Sequence, residues 1–413
     1  MTSSASSWDV RTLTEADEQA FHRVDSLAFA ETVAPEVVEA ELQLHEQDRK
    51  VGAFDGGTLV GIAMAYSYQL SVPGGEVPAA GVSWVGVRPT HRRRGVLSAL
   101  MRHQLRDIHE VRREPLAILW ASEPGIYGRF GYGLGSSRYS VEVPRSATAL
   151  LPSAPMDASL QLRIVDEPDV APLGPVYEAV AQVRAGFPRR DDRWWARLLR
   201  DEASTRDGYS ALRCVVAEDA SGVRGYALYR TRPSWDPGYA AGTLAVKEVL
   251  ALDPAALAAL YRFVFDQDLM ASATLWNVPV DDPLLVWLAD PRRAQPKLAD
   301  SLFVRIVDVG AALAARRYAA DTDLVLEVAD DVCAWNAGRW RFTAKGRTAS
   351  CAPTEDAPDV GLSAGTLGSL YLGGGSLQQL ASAGRVDEYA SGAVAALDAA
   401  FRWFPGPWSP QVF

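Results

Sequence analysis

The 413-residue sequence is poor in cysteine and histidine and has no long apolar run. Its three cysteines, Cys214, Cys333 and Cys351, lie far apart, so neither a disulfide framework nor a metal site is predicted. No stretch reaches the roughly 18 uninterrupted apolar residues of a membrane-spanning helix. The first residues lack the basic and apolar regions of a signal peptide. A cytoplasmic location, where thiols stay reduced, is therefore expected.

Positive charge is also scarce overall, but it is concentrated in one segment. The chain has 41 Lys and Arg against 51 Asp and Glu, a net charge of −10. Residues 88–113 hold eight arginines and two acids, so this segment carries +6 and the remainder −16. This distribution disfavours a general nucleic-acid binder. It favours one anionic ligand on the basic segment and attraction of cations elsewhere.

Composition divides the chain into three blocks, 1–150, 151–300 and 301–413. A linker rich in Pro, Ser and Ala, residues 144–159, sets the first boundary. Strand and helix patterns predict an α/β fold with mixed sheets.

A strand, a proline, a helix and a second strand follow one another in both of the first two blocks. In the first block, the strand Gly81–Val87 is followed by Pro89 and a helix that begins at Gly95. In the second block, the strand Ala245–Leu252 is followed by Pro254 and a helix. This similarity suggests a weak internal duplication, with a chance match as the alternative. The second copy lacks an arginine-glycine loop, so a duplicated chain would have one active and one structural copy.

The most informative stretch is the loop in which Arg92, Arg93 and Arg94 precede Gly95. Unpaired backbone N–H groups at a helix start attract anions, and the helix dipole adds to this attraction. Glycine lets a phosphate approach the backbone closely, and guanidinium groups suit phosphate geometry. These residues predict a pyrophosphate cradle, and a solvated basic helix start remains the alternative.

Two motifs carry a resemblance to a known family. The run from Val85 to Leu97 resembles the coenzyme A loop of the GCN5-related N-acetyltransferases. The segment Ala121–Gly133, with Ile126-Tyr127-Gly128 at its centre, resembles the signature of the Eis (enhanced intracellular survival) family of that superfamily. Leu97 replaces the small residue usual in the superfamily, and this departure is itself a trait of the Eis family.

The resemblance implies a fold and an activity. The implied fold has two tandem acetyltransferase-like domains plus a C-terminal sterol-carrier-like domain, assembled as a homo-hexamer. Acetyl-CoA is the implied co-substrate, and its acetyl group passes directly to a primary amine of a cationic acceptor, aminoglycoside-like or a lysine side chain. Neither nucleic acid nor a membrane span is expected. The alternative function is a lipid or apolar-ligand carrier with a degenerate acetyltransferase scaffold.

The resemblance also implies roles for individual residues. The implied cofactor-binding residues are Val85, Gly86, Val87, Arg92, Arg93, Arg94, Gly95, Val96, Leu97, Ser98, Ser122 and Glu123. Tyr127 matches the general acid and the carboxylate of Phe413 the general base, while packing of Tyr127 in a tight turn stays open. Acidic and aromatic walls suit a cationic acceptor. For such walls the first block offers Asp25, Glu36 and Trp84.

Overall fold

The structure is a computed structural model that describes residues 8–31 and 33–413. The chain forms two compact units. The first contains the residues up to Ser136 together with Ala185–Pro188 and Ser301–Phe413, and the second contains Ser137–Arg184 and Arg189–Asp300. The division into blocks at residues 150 and 300 stays a prediction. Within the described ranges, every helix is too short or too polar to cross a membrane.

Strands account for most of the regular structure in both units. In chain order they are β1 (Asp9–Thr12), β2 (Val51–Asp55), β3 (Thr58–Val72), β4 (Gly75–Val87), β5 (Leu116–Trp120), β6 (Tyr132–Leu134), β7 (Ser137–Pro144), β8 (Gln161–Val165), β9 (Arg213–Asp219), β10 (Gly222–Arg232), β11 (Trp235–Asp236), β12 (Tyr239–Ala240), β13 (Gly242–Ala251), β14 (Met270–Pro279), β15 (Lys297–Asp300), β16 (Leu302–Ile306), β17 (Thr322–Ala329), β18 (Gly338–Lys345), β19 (Thr348–Pro353), β20 (Val360–Ser363) and β21 (Val386–Glu388).

The α-helices are numbered in the same way. They are α1 (Glu18–Phe29), α2 (Pro35–Leu42), α3 (Val96–Asp107), α4 (Val170–Val183), α5 (Asp192–Leu199), α6 (Pro254–Phe265), α7 (Leu284–Trp287), α8 (Val309–Ala314), α9 (Ala364–Tyr371), α10 (Leu377–Ser382) and α11 (Ala393–Phe401).

The first unit is built on a seven-stranded mixed sheet with the order β1-β2-β3-β4-β5-β16-β6. Strand β4 is antiparallel to β3 and parallel to β5, and α3 connects β4 to β5. The apolar side chains of α3 recur at helical spacing, so Met101 and Leu105, together with Ile108 just after the helix, pack against the sheet beside Val82 and Leu119. This packing fixes the start of α3 at the edge of the sheet where β4 ends.

The second unit repeats this arrangement around the sheet β15-β7-β14-β13-β10-β9-β8. Here β13 and β14 are the parallel pair, and α6 connects them and packs on β13 and β10. The predicted strand–proline–helix–strand order thus occurs in both units. Two strands join the sheet of the other unit than their neighbours in the sequence. Strand β7 follows β6 of the first sheet but pairs with β14 in the second, and β16 follows β15 of the second sheet but pairs with β5 in the first.

Five of the remaining seven strands form the sheet β19-β18-β17-β20-β21, which belongs to the first unit, and β11 and β12 form a two-stranded sheet in the second unit. The helices α8, α9 and α11 pack on it. Strand β17 pairs with β18 from Val328 and Gly338 onward, and residues 330–337 connect the two strands.

Candidate active site

The parallel strands β4 and β5 separate before they end. Ladder pairs join them only from Ala79 and Leu116 to Gly81 and Ile118. Beyond Gly81, β4 continues to Val87 without pairing to β5 in the described part of the chain. One edge of this stretch therefore faces a gap, where its backbone groups can pair with an extended ligand that contains amides.

A bulge in β4 changes the direction of the strand within this gap. The register with β3 shifts between the pairs Ile62–Gly86 and Met64–Ser83, so Trp84 and Val85 lie in the irregular part. Trp84 has φ +53°, a costly conformation for a bulky side chain. The structure thus brings Val85 to Val87 to the open edge and turns Trp84 away from regular strand geometry.

The loop after β4 ends in an uncapped helix start. Gly95, with φ +85°, is the N-cap of α3, and no side-chain hydrogen bond caps the helix in the described residues. The first-turn N–H groups therefore remain open to an anion. Val96 is buried beneath them, and Ser98 lies in the same turn.

The arginines of this loop differ in their surroundings. The guanidinium of Arg92 donates to the carbonyl oxygen of Ala28 at 3.0 Å, which ties the loop to the end of α1. Arg93 has φ +62° and is exposed, and no ion pair to it is found in the described chain. Of the predicted arginines, Arg93 is thus the one with its charge most available to a ligand.

Arg94 is held by the protein itself. Its guanidinium lies 3.5 Å from the carboxylate of Asp55 and 5.1 Å above the Trp8 ring. The indole N–H of Trp8 in turn donates to the carbonyl oxygen of Arg94 at 3.0 Å. Asp55 also contacts His91, at 3.2 Å. These contacts shape the loop, and sequence analysis missed Trp8 and Asp55 because no short spacing links them to it.

The segment after β5 lies at the same edge of the sheet as the loop after β4, because parallel strands end on the same side. Ser122 and Glu123 follow β5 directly and are exposed. Tyr127 lies in the 3-10 helix Pro124–Phe130, with its ring 5.8 Å from that of Tyr132. Burial, with a smaller effect of the Glu123 carboxylate, raises the pKa of Tyr127 to about 12. The phenol therefore stays protonated at neutral pH and can donate a proton.

The C-terminal tail reaches the point where β4 and β5 separate. The ring of Phe413 lies 5.1 Å from the ring of Tyr68 and against Gly81, the last residue of the parallel ladder. The side-chain amide of Gln411 donates to the Tyr68 hydroxyl at 3.1 Å. The backbone carbonyl oxygen of Gln411 accepts from the Trp120 indole N–H at 2.8 Å. The described tail is thus part of the wall of the gap.

The side chain of Trp84 lies in a cluster of aromatic residues. Its indole N–H donates to the Tyr66 hydroxyl at 2.9 Å, and its ring lies 5.8 Å from Phe21, 6.2 Å from His22 and 4.8 Å from His45. Burial lowers the pKa of His45 to about 3, so this imidazole is neutral. Of this cluster only Trp84 was predicted, because the members come from four separate segments without a shared pattern.

The two predicted acidic residues occupy different environments. Asp25 is half-buried on α1, one turn after Phe21 and His22, so it lies on the helix face that contacts Trp84. Burial, together with the nearby Glu31 carboxylate, raises the pKa of Asp25 to about 6. Glu36 is exposed in the first turn of α2.

Comparison with known proteins agrees with this arrangement. Two profiles described as acetyltransferase (GNAT) domain match residues 9–135 and 186–306, and one described as sterol carrier protein domain matches residues 309–410. An N-acetyltransferase of Streptomyces avermitilis named as uncharacterized is 45% identical over 98% of this chain and 99% of its own length. The N-acetyltransferase Eis of Mycobacterium tuberculosis is 34% identical over 94% of this chain and 95% of its own length.

The chain belongs to the Eis family of N-acetyltransferases. The crystal structure of Eis1 from Mycobacterium abscessus superposes on it with a TM-score of 0.83 at 34% identity, covering 98% of this chain and all of that one. The predicted family is confirmed, and so is the fold of two acetyltransferase-like domains with a sterol-carrier-like domain. The protein is an acetyl-CoA-dependent N-acetyltransferase, and acetyl-CoA is its co-substrate.

Within this Eis-family chain, the second unit has a helix start of a different kind. The carboxylate of Asp253 accepts hydrogen bonds from the backbone N–H groups of Ala255 and Ala256, at 2.9 and 3.1 Å. Arg224 holds the same carboxylate at 2.9 Å. The N–H groups that stay uncapped in α3 are thus satisfied in α6 by the protein's own anion. This difference favours the first unit as the site for acetyl-CoA.

Proposed function

We propose that this enzyme transfers the acetyl group of acetyl-CoA directly to a primary amine of a cationic acceptor, aminoglycoside-like or a lysine side chain. The observation that carries the proposal is the convergence, at one edge of the first sheet, of three features. They are the open edge Val85–Val87, the uncapped helix start at Gly95, and Tyr127. A homo-hexamer is part of the same proposal and rests on the family resemblance, and a cytoplasmic location, also proposed, rests on the scarcity of cysteine.

The loop after β4 would hold the pyrophosphate of acetyl-CoA. The backbone N–H groups from Gly95 to Ser98 point outward from the helix start, and Arg93 adds a charged fork suited to phosphate. Val85 to Val87 would pair with the amide groups of the pantetheine arm. Ser122 and Glu123 would contact the cofactor from the end of β5.

Tyr127 would complete the transfer. The acceptor nitrogen attacks the thioester carbonyl, so that a C–N bond forms as the C–S bond breaks. The backbone N–H of Val85 would stabilise the charge that develops on the carbonyl oxygen. Tyr127 then donates its proton to the leaving thiolate, and its raised pKa keeps that proton in place until it is needed. No acyl-enzyme is formed.

The carboxylate of Phe413 would accept the proton that the amine loses, directly or through a water molecule. An α-carboxylate has an ordinary pKa of about 3.5 and is a weak base in water. What supports the assignment is the ring of Phe413, which lies 5.1 Å from the ring of Tyr68 in the wall of the gap.

Charge complementarity supports a cationic acceptor. Asp25 offers a carboxylate on the helix face that contacts Trp84, and an aromatic ring attracts an ammonium group. Glu36 adds a second acid on the first turn of α2. Outside the segment 88–113 the chain carries −16, a field that attracts polycations.

The decisive experiment is a thiol-release assay with acetyl-CoA and a panel of aminoglycosides, polyamines and lysine peptides, with mass spectrometry of each product. We expect release of one thiol per acetylated amine with at least one class. The rival function, a lipid carrier on a degenerate scaffold, predicts no turnover and no calorimetric binding of acetyl-CoA at about 1 mM, a concentration at which even weak ligands bind. That pair of results would refute the proposal.

A further inference from the structure

The 3-10 helix that carries Tyr127 ends beside the buried side chain of Arg305. Its last turn closes at Gly131, whose N–H donates to the carbonyl oxygen of Gly128 at 3.0 Å. Gly131 has φ +79°, and a Cβ placed there would lie 2.5 Å from Nη1 of Arg305. Only glycine lets the guanidinium lie this close to the turn.

Arg305 comes from a distant part of the sequence and is fixed in place. It lies on β16 with a fully buried side chain and is paired in the ladder with Tyr132 of β6. Its Nη2 donates to both carboxylate oxygens of Asp330 at 2.8 Å. Asp330 is itself buried and also accepts from the backbone N–H of Cys333 and the amide of Asn336. The orientation of the guanidinium is therefore set from behind.

The remaining donors of Arg305 have no evident packing purpose. Its Nε and Nη1 are buried without an oxygen acceptor among the described residues, the Cys333 thiol being the further polar group beside the guanidinium, and the Tyr132 hydroxyl is buried there without a partner. A buried cation with unused donors lowers stability compared with an apolar side chain of the same shape. Packing alone would favour replacement of Arg305, so its presence points to another role.

The guanidinium lies next to the two features that orient Tyr127. The guanidinium sits against Gly131, where the 3-10 helix ends, and the backbone of Arg305 pairs in the ladder with Tyr132, whose ring contacts Tyr127 edge-to-face at 5.8 Å. We propose that Arg305, held by Asp330, is a positioning residue that fixes the orientation of Tyr127 for proton transfer. This inference rests on the proposed role of Tyr127 as the general acid.

A double-mutant cycle tests this inference. The pair Arg305→Met and Asp330→Asn removes both buried charges at once, and kcat is measured with this pair alone and combined with Tyr127→Phe. In the otherwise unchanged enzyme we expect a loss in kcat of about 10-fold or more, because small misplacements of reacting groups are costly. In the Tyr127→Phe background we expect a further loss below about twofold, since the residues act as one unit.

The second unit offers a matched control. Its Arg190 and Glu248 form a comparable buried pair, with side chains 1% and 2% exposed and bonds of 2.9 and 2.6 Å. Arg190→Met with Glu248→Gln removes two charges far from Tyr127 in sequence, and we expect the same kcat ratio in both backgrounds. Unfolding temperatures of all variants report on folding separately.

The outcomes separate the two claims. The positioning role would be overturned if the Arg305 and Asp330 substitutions lowered kcat by the same factor with and without Tyr127→Phe. It would also be overturned if the Arg190 and Glu248 substitutions showed the same non-additivity with Tyr127→Phe. A Tyr127→Phe enzyme with full kcat would instead refute the general acid. If the charge-free pair fails to fold, Arg305→Lys takes its place, because lysine keeps the charge without the guanidinium fork, and the same two ratios are expected.

Discussion

The indole N–H of Trp120, at the end of β5, donates a hydrogen bond to the carbonyl oxygen of Gln411 at 2.8 Å. The side chain of Gln411 continues to the hydroxyl of Tyr68 at 3.1 Å. These two bonds hold the C-terminal tail across the opening between β4 and β5. The tail therefore belongs to the candidate active site, although nearly three hundred residues separate it from β5.

The first prediction concerns residues added after Phe413. An extension would convert the Phe413 carboxylate into a neutral amide and move the tail out of the gap. We expect kcat to fall by about 10-fold or more, the scale of a lost general base. The KM for acetyl-CoA should change little, because the pyrophosphate loop lies on another segment. Steady-state kinetics of chains extended at the C-terminus or the N-terminus make the comparison, and full kcat in the C-terminally extended enzyme would exclude the terminal base.

The second prediction concerns the phenol of Tyr127. Tyr127→Phe keeps the ring against Tyr132 and removes only the proton donor, so we expect kcat to fall by about 10²-fold with an unchanged fold. Tyr139→Phe, in the second unit, serves as the matched control and should leave kcat within about twofold, since surface or remote changes have small effects. Equal kcat in wild type and Tyr127→Phe would remove this residue from the mechanism.

A pH profile tests the same residue independently. A tyrosine can no longer donate a proton once the pH has risen above its pKa. Burial raises the pKa of Tyr127 from its ordinary value to about 12. We therefore expect no fall of kcat attributable to Tyr127 between pH 8 and about 10, where an ordinary tyrosine would titrate. A decline centred near the ordinary pKa would show that Tyr127 is solvated or is not the acid.

The third prediction separates two neighbouring arginines. Arg93 is exposed with its charge available, whereas Arg94 is engaged by Asp55 and Trp8. We expect Arg93→Gln to raise the KM for acetyl-CoA by about 10-fold, the scale of one charge-assisted hydrogen bond. Arg94→Gln should raise it less, by about threefold or below. The reverse order would mean that the loop rearranges when the cofactor binds.

Local patterns in the sequence predicted the elements around the site. The predicted strand Gly81–Val87 corresponds to the end of β4, and the predicted helix after Gly95 corresponds to α3. In contrast, α4 was not predicted, because Pro172, Gly174 and Pro175 suggest a loop. Pro172 lies in the first turn, where N–H groups have no partner within the helix, whereas Pro175 lies inside the helix and removes one of its backbone hydrogen bonds.

Long-range relationships were beyond sequence reasoning. The pairing of β16 with β5, and hence the place of Arg305 behind Gly131, depends on partners almost two hundred residues apart. The contact between His45 and Trp84 likewise joins two segments that no local sequence pattern connects. Alternation within a strand shows which side chains share a face, but it does not show which sheet receives the strand.

The fourth prediction is the stoichiometry of acetyl-CoA. The start of α6 is capped by Asp253, whereas the start of α3 has no side-chain cap in the described chain. We expect calorimetry to give one acetyl-CoA per chain. Arg93→Gln should weaken that single site, and Asp253→Asn should leave its affinity unchanged. Two equivalent sites per chain would contradict the view that the second unit is closed to the cofactor.

The fifth prediction concerns the pH dependence of acceptor binding. Burial and the Glu31 carboxylate raise the pKa of Asp25 to about 6, so Asp25 is charged above that pH and neutral below it. A cationic acceptor needs the charged form. We expect its KM to rise as pH falls through about 6, while the KM for acetyl-CoA does not follow the same curve. Asp25→Asn should remove this dependence, and an unchanged profile in that variant would exclude Asp25 from the acceptor site.

The free energy of unfolding provides a second test of Asp25, and we expect its dependence on pH to run opposite to that of acceptor binding. Because its pKa is higher in the folded chain than the ordinary value of about 3.9, the folded state binds a proton that the unfolded state has released between about pH 4 and 6. Stability due to this group therefore falls as pH rises through that range. Asp25→Asn should raise the unfolding temperature more at pH 8 than at pH 4, while it weakens acceptor binding at pH 8. A carboxylate that lowers stability and improves binding is what a ligand site requires, whereas a purely structural Asp25 would lose stability in the same variant.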